Sequence, residues 1–209
     1  MSPIEVPLMA CRSVSDVFTT AREVIAGHHH PLLLFDTSSK SLHEPFSTGL
    51  ISSVVEPEYV LWIDGRNIRQ STEVYDLIKR AARSGRPMGS NLNALEEVLR
   101  DDAVSNNKSS RTYWVYTHFD RLYESDRPFT VELIQMMLSA ARQLGEGYFA
   151  FKGGYVPAER PVSVLLTGSW EVMHGEAASE NSFLYRFPDS YERGFPDLLT
   201  NLKAVHITR

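Results

Sequence analysis

A single cysteine, Cys11, stands among 209 residues. No disulfide can therefore form within the chain, and the sequence suits a reducing compartment. A lone thiol so near the N-terminus reads as a small buried or tolerated residue rather than a nucleophile. Long apolar runs are also missing. The longest, Pro31 to Phe35 and Tyr59 to Ile63, fall far short of the ~20 residues that cross a bilayer. Met1-Ser2-Pro3-Ile4-Glu5 has no basic start followed by an apolar stretch, so no signal peptide is expected. These absences together predict a soluble, cytoplasmic protein without a membrane partner. Positive charge is not in excess either: 21 Lys and Arg face 26 Asp and Glu, for a net charge of -5. Nucleic-acid binding needs a basic face to neutralise phosphates, so none is expected. An acidic protein is better matched to a basic partner, because opposite potentials speed encounter.

The usual signatures of catalysis and cofactor binding are absent too. Gly153-Gly154 lacks the Lys and Ser/Thr of a phosphate loop. Gly168-Ser169-Trp170 lacks the paired glycines of a nucleophile elbow. His28-His29-His30 are consecutive and cannot share one face, so no metal is expected there. His118-Phe119-Asp120 follows a strand end with no convergent nucleophile or second base in view, and a loop hydrogen bond is its expected role. The expectation is a binding protein that carries no cofactor and is not an enzyme.

The apolar fraction of 43% and charged fraction of 22% are those of a globular chain. Ser13 to Gly27 has apolar residues at helical spacing, and Leu32 to Phe35 reads as a buried strand. Residues 37–56 are rich in Ser, Thr and Pro and read as a long connection. Tyr59 to Ile63 reads as a second strand closed by Asp64-Gly65. A helix follows, with Ser71 or Thr72 as its cap, Glu73 in its first turn, an apolar stripe at Val74, Leu77, Ile78, Ala81 and Ala82, and Gly85 as its stop. After Arg86-Pro87-Met88-Gly89 comes a shorter helix from about Asn91 to Asp102. Its inner face is Leu92, Leu95, Val98 and Leu99; Asn93, Glu97 and Asp101 lie opposite, with Glu96 and Arg100 on the flank. Residues 102–111 read as a polar loop and Thr112 to Thr117 as a strand. Pro128 opens a long helix with a stripe at Val131, Ile134, Met137 or Leu138, Ala141 and Leu144, closed by Gly145. Val162 to Leu166 is a central strand. The tail adds a strand at Phe183 to Phe187, a helix near Phe195 to Leu202 and a strand at Ala204 to Ile207. Trp62 and Trp114 are expected core residues, and Trp170 is expected in the core or an interface. Strands alternating with helices imply an α/β sheet with parallel pairs and helical cover.

Two stretches carry a family resemblance. Ile63-Asp64-Gly65-Arg66-Asn67-Ile68, then a helix, then Gly89-Ser90-Asn91-Leu92-Asn93-Ala94-Leu95-Glu96-Glu97-Val98-Leu99 resembles barstar, with its Ile-x-Gly-x-x-Ile start and later Gly-x-Asn-Leu-Asp-Ala-Leu. The following strand, long helix and last strand are also in order. The likeness covers residues 59–145 and 162–167. It implies a barstar-like three-layer module, a small parallel sheet covered by helices, over residues 57–168. Residues 1–56 and 169–209 would be extensions that add helices and strands at both ends.

Barstar-like proteins are inhibitors or immunity proteins, antitoxins of bacterial type that cover the active site of a ribonuclease. The resemblance therefore implies a cognate protein toxin as partner, a nuclease whose cleft is lined with cations for phosphate, blocked by a helix bearing carboxylates. Carried over residue by residue, the expected partner-binding set is Met88, Gly89, Ser90, Asn91, Asn93, Glu96, Glu97, Arg100 and Asp101. Glu97 stands where barstar has its main interface Asp. Asn93 stands where the family usually has Asp, Glu96 replaces an exposed aromatic, and Arg100 to Asp102 replace a short neutral segment. Ala140 falls where barstar offers a further carboxylate. These departures imply a target other than barnase. Read without the resemblance, Glu96, Glu97, Asp101 and Asp102 are an ordinary solvated face, and Asn91 is a structural cap. The alternative function is a protein-interaction module of the same fold with a partner that is not a nuclease.

Overall fold

The computed structural model describes residues 8–11, 32–36, 58–82, 89–105, 111–149, 154–169, 172 and 202–207. The helix expected over Ser13 to Gly27, the connection 37–56, Gly85, the Arg86 to Met88 link, Trp170, the strand expected at Phe183 to Phe187 and most of the expected Phe195 to Leu202 helix lie outside the described residues.

In chain order the elements are β1 (Leu8–Cys11), β2 (Leu32–Asp36), β3 (Glu58–Asp64), α1 (Ser71–Ala81), α2 (Leu92–Ser105), β4 (Arg111–Thr117), α3 (Phe119–Ser125), α4 (Arg127–Glu146), β5 (Tyr148–Phe149), β6 (Tyr155–Val156), β7 (Val162–Gly168) and β8 (Leu202–Ile207). Six strands form one sheet in the order β1-β8-β2-β7-β4-β3, and β5 and β6 form a separate antiparallel pair. Every pairing in the larger sheet is parallel. The expected α/β architecture is therefore present: β3, β4 and β7 make a small parallel sheet carrying the four helices. Strands from both flanks widen it to six.

The register shows why β4 and β7 read as continuous apolar runs. Leu61 pairs with Trp114 and Trp114 with Val164, while Val115 sits between Trp62 and Leu165. A strand with parallel neighbours on both sides has both faces covered, so period-two alternation is lost. All seven residues of β7 are buried. One face of the sheet, with Leu61, Ile63, Trp114, Tyr116, Val164 and Leu166, joins a single core with residues of α1 to α4. Trp114 is fully buried as expected. Trp62, on β3 at the edge of the sheet, is only half-buried.

Three helix boundaries differ from the sequence reading. The cap of α1 is Gln70 rather than Ser71 or Thr72. The Glu73 carboxylate, whose pKa the backbone N–H groups of Arg69 and Gln70 hold below its usual value, accepts from both at 2.7 and 3.1 Å and so fixes the chain one residue earlier. Next, α2 runs to Ser105, past the expected loop start, because Ala103 continues the Leu95–Leu99 row at four-residue spacing and is fully buried. Finally, α4 ends at Glu146 with Gly147 as its cap. Gly147 has a φ of +78°, which a side chain disfavours. Tyr155 packs against it, and the Tyr155 hydroxyl donates to the carbonyl of Glu146 at 2.8 Å.

Candidate functional site

The helix α2 is built from its cap outward. The Ala94 N–H donates to the Asn91 Oδ1 at 2.9 Å, which satisfies one of the free donors at the helix start. Asn91 is therefore the N-cap, the structural role the plain reading gave it. Leu95, Val98, Leu99 and Ala103 are buried, with Leu92 partly so. Pinning this stripe against α1 and α4 leaves the opposite side to solvent.

That outer side holds fewer free charges than the sequence pattern suggests. Gly89, Ser90, Asn91, Asn93 and Glu97 are exposed. Glu96 and Asp101 are half-buried, and Asp102 is buried at 5% exposure. The Tyr59 hydroxyl donates to Asp102 at 3.2 Å, so this residue joins the packed side of α2. Arg100 reaches back one turn to Glu96 with two bonds of 2.9 and 2.7 Å and also donates to the side-chain carbonyl of Gln143 on α4. Arg100 thus offsets Glu96, not Glu97. Within α2, Glu97 is the one exposed acidic side chain. Ala140 is fully buried inside α4 and stands in the core. Of the expected partner-binding residues, Met88 lies outside the described residues, and Glu96, Arg100 and Asp101 are partly withdrawn from solvent.

A second polar group, not anticipated as a unit, lies at the carboxyl rim of the sheet. Asp64 ends β3, and its Oδ1 accepts from the Arg66 N–H at 3.0 Å and from the Thr117 hydroxyl at 3.4 Å. The Gly65 N–H donates to the Thr117 carbonyl at 2.9 Å, which ties the turn to β4. His118 links β4 to α3 with φ 54° and ψ 36°, a left-handed conformation in which a non-glycine residue is uncommon. Its Nδ1 is 3.5 Å from Asp64 Oδ1. Burial lowers the His118 pKa, helped by Arg66 and Arg121 and opposed by Asp64, so the imidazole is neutral at neutral pH. Burial raises the pKa of Asp120, against the N–H of Ser169 and the charge of Arg121. Asp120 packs on Gly168, where an added Cβ would stand 2.8 Å from Oδ1. The clue in the sequence was the recurrence of polar residues just past strand ends: Asp64-Gly65, Thr117-His118 and Gly168-Ser169. Among the described residues, no group of three or more His, Cys, Asp and Glu could hold a metal. No helix among them is long and apolar enough to cross a membrane.

The decisive comparison is with families. Residues 58–155 match the family described as Barstar (barnase inhibitor). The segment from β3 to β6 is thus barstar-like, as the Gly89 to Leu99 signature implied. No curated protein matches the chain. Two solved structures of the ORC2 protein of Aeropyrum pernix, its ADP form and its ADPNP-ADP complexes, resemble it with TM-scores of 0.52 and 0.51 at 9% and 10% identity. They cover 93% and 99% of this chain, which spans 47% and 49% of theirs, about half their length. That likeness concerns the fold, a wide parallel sheet with helical cover, and carries no residue-level correspondence.

Proposed function

We propose that this chain is a barstar-like inhibitor, an immunity protein that binds a nuclease toxin, foremost a ribonuclease, and occludes its basic active site with the outer face of α2. The observation that carries the reading is Glu97: an exposed carboxylate at mid-helix, on a face whose reverse is fully packed, within the segment that matches the barnase-inhibitor family. A nuclease holds phosphate with Arg, Lys and His, and a carboxylate on a rigid helix can take the phosphate's place. The net charge of -5 favours fast encounter with such a basic surface. Asn91, Asn93, Ser90 and Gly89 flank Glu97, with Met88, Glu96, Arg100 and Asp101 at the margins. The protein works in the cytoplasm, by binding and without catalysis or cofactor. Residues 57–168 form the inhibitor unit, and residues 1–56 and 169–209 extend it.

The test is reversal of the central charge. Glu97→Arg, co-expressed with the cognate toxin, is expected to abolish protection while the circular dichroism spectrum and melting temperature stay those of the parent. Protection at the parental level would remove α2 from the interface and overturn the reading.

A second reading, a partner that is not a nuclease, is favoured by one observation: Arg100 neutralises Glu96, which leaves less negative charge than a many-cationed cleft would demand. Recovery from host extract of a neutral or acidic partner, with binding insensitive to salt, would favour it.

A further inference from the structure

Glu96 and Glu97 are adjacent in sequence and chemically identical, yet α2 sets them in different surroundings. Glu97 projects into solvent. Glu96 is clamped: one carboxylate oxygen takes both the Nε and an Nη2 of Arg100, and the same Nη2 bonds Gln143 on α4. The side chains of Arg100 and Glu96 are only 19% and 29% exposed. A planar guanidinium held on two sides by fixed acceptors loses little further freedom in keeping this geometry. Arg100 is itself anchored to α4 through Gln143, so the guanidinium that holds Glu96 is fixed from a second helix.

From this we infer that Arg100 is a specificity-determining residue of the α2 face. Resting on the reading of α2 as the partner-binding surface, the inference is that Arg100 withdraws Glu96 from recognition, so that the face presents Glu97 as its exposed carboxylate, with half-buried Asp101 one turn on, beside neutral hydrogen-bonding groups. The partner it fits places a single cation against Glu97 and amide or hydroxyl groups against Asn93 and Asn91. A partner that sets two cations side by side meets a free carboxylate at Glu97 and, next to it, one already paired.

The experiment is a double-mutant cycle on the full chain, with a fluorescent hexa-arginine peptide as probe at low salt. Glu97→Gln is expected to weaken binding about fivefold and Glu96→Gln by less than about 1.5-fold, as for a free and an already paired surface charge. In an Arg100→Met background, Glu96→Gln is expected to cost about fivefold, so that the Glu96 and Arg100 effects are non-additive. Should Arg100→Met lower the melting point, the contrast between Glu96→Gln and Glu97→Gln in the parental background decides alone. Equal losses from those two variants, or additive effects around the cycle, overturn the proposal while leaving α2 as the binding face. Failure of the peptide to bind, or indifference to Glu97→Gln, overturns the proposal together with the reading beneath it.

Discussion

Carboxylates gather at two places around the sheet, and the contrast between them separates the proposed binding face from a structural joint. On the outer side of α2, Glu97 reaches solvent and the backbone beneath it is ordinary helix. At the carboxyl rim, Asp64 accepts from a backbone N–H and a threonine hydroxyl, and Asp120 is pressed against Gly168 beside a left-handed His118. A charge kept in water and held by a rigid support is available to a partner at little desolvation cost. A charge drawn into the protein must be satisfied there, and its pKa moves instead. The rim stores conformational constraint, and α2 presents free charge on a surface that need not move.

If this division is right, substitutions at the rim should act on stability, and those on the face of α2 on binding. The largest effect is expected at Gly65, where an added Cβ would stand 2.6 Å from both the Thr117 carbonyl and the Tyr116 ring. Neither can give way freely, so Gly65→Ala should destabilise by about 3 kcal/mol in denaturant unfolding. A loss below 0.5 kcal/mol would break the comparison on the rim side. Next, Asn91→Ala removes the cap bond of α2 and should cost about 1 kcal/mol. Its effect on binding, if larger than its effect on stability, would move Asn91 from scaffold to contact.

The third effect is one of pH. Burial raises the pKa of Asp120 above its ordinary 3.8. A carboxylate raised on folding contributes most below its unfolded value, and that contribution is lost as pH rises through the folded value. Asp120→Asn is therefore expected to melt higher than the parent at pH 7, with the gap closing as pH falls through the raised folded value towards 3.8. His118, lowered by burial, runs oppositely: its contribution is present above 6.5 and is lost as pH falls through the folded value. His118→Asn, which tolerates the left-handed backbone, should flatten the fall in melting temperature just below pH 6.5. The smallest effect on stability is expected for Glu97→Gln, within about 0.5 kcal/mol, although the same variant is expected to weaken binding. A larger stability change would mean that Glu97 is no free charge, and would sharpen the boundary between the two regions.

Much of the barstar-like segment was legible because its signals are local. The apolar spacing of α1, α2 and α4, the Asn91 cap and the proline near the start of α4 depend on neighbours within a few residues. The misplaced boundaries share a cause. Glu73 reaches back to backbone donors ahead of its helix, Ala103 is held by packing despite Asp101 and Asp102 beside it, and Gly147 rather than Gly145 caps α4 because Tyr155 packs there. The short α3 and the β5–β6 pair escaped notice because seven-residue and two-residue elements carry too little pattern. Among the site residues, Glu97 and Asn93 were legible from helical spacing. The partners of Arg100 and Asp102 were not, since Gln143 and Tyr59 each lie 43 positions away.

By itself, then, the sequence determined the alternation of strands and helices, the face each helix buries and the signature Gly89 to Leu99, because hydrophobic spacing and capping act over one or two turns. Tertiary structure decided how far each acidic residue on α2 is withdrawn from solvent. Glu96, Glu97, Asp101 and Asp102 carry the same formal charge, but Arg100, itself bonded to Gln143 on α4, holds half-buried Glu96, and a tyrosine on β3 donates to buried Asp102, while Glu97 is exposed. Long-range packing sets the surroundings of a charge, and those surroundings set whether it is offered to a partner or spent within the fold.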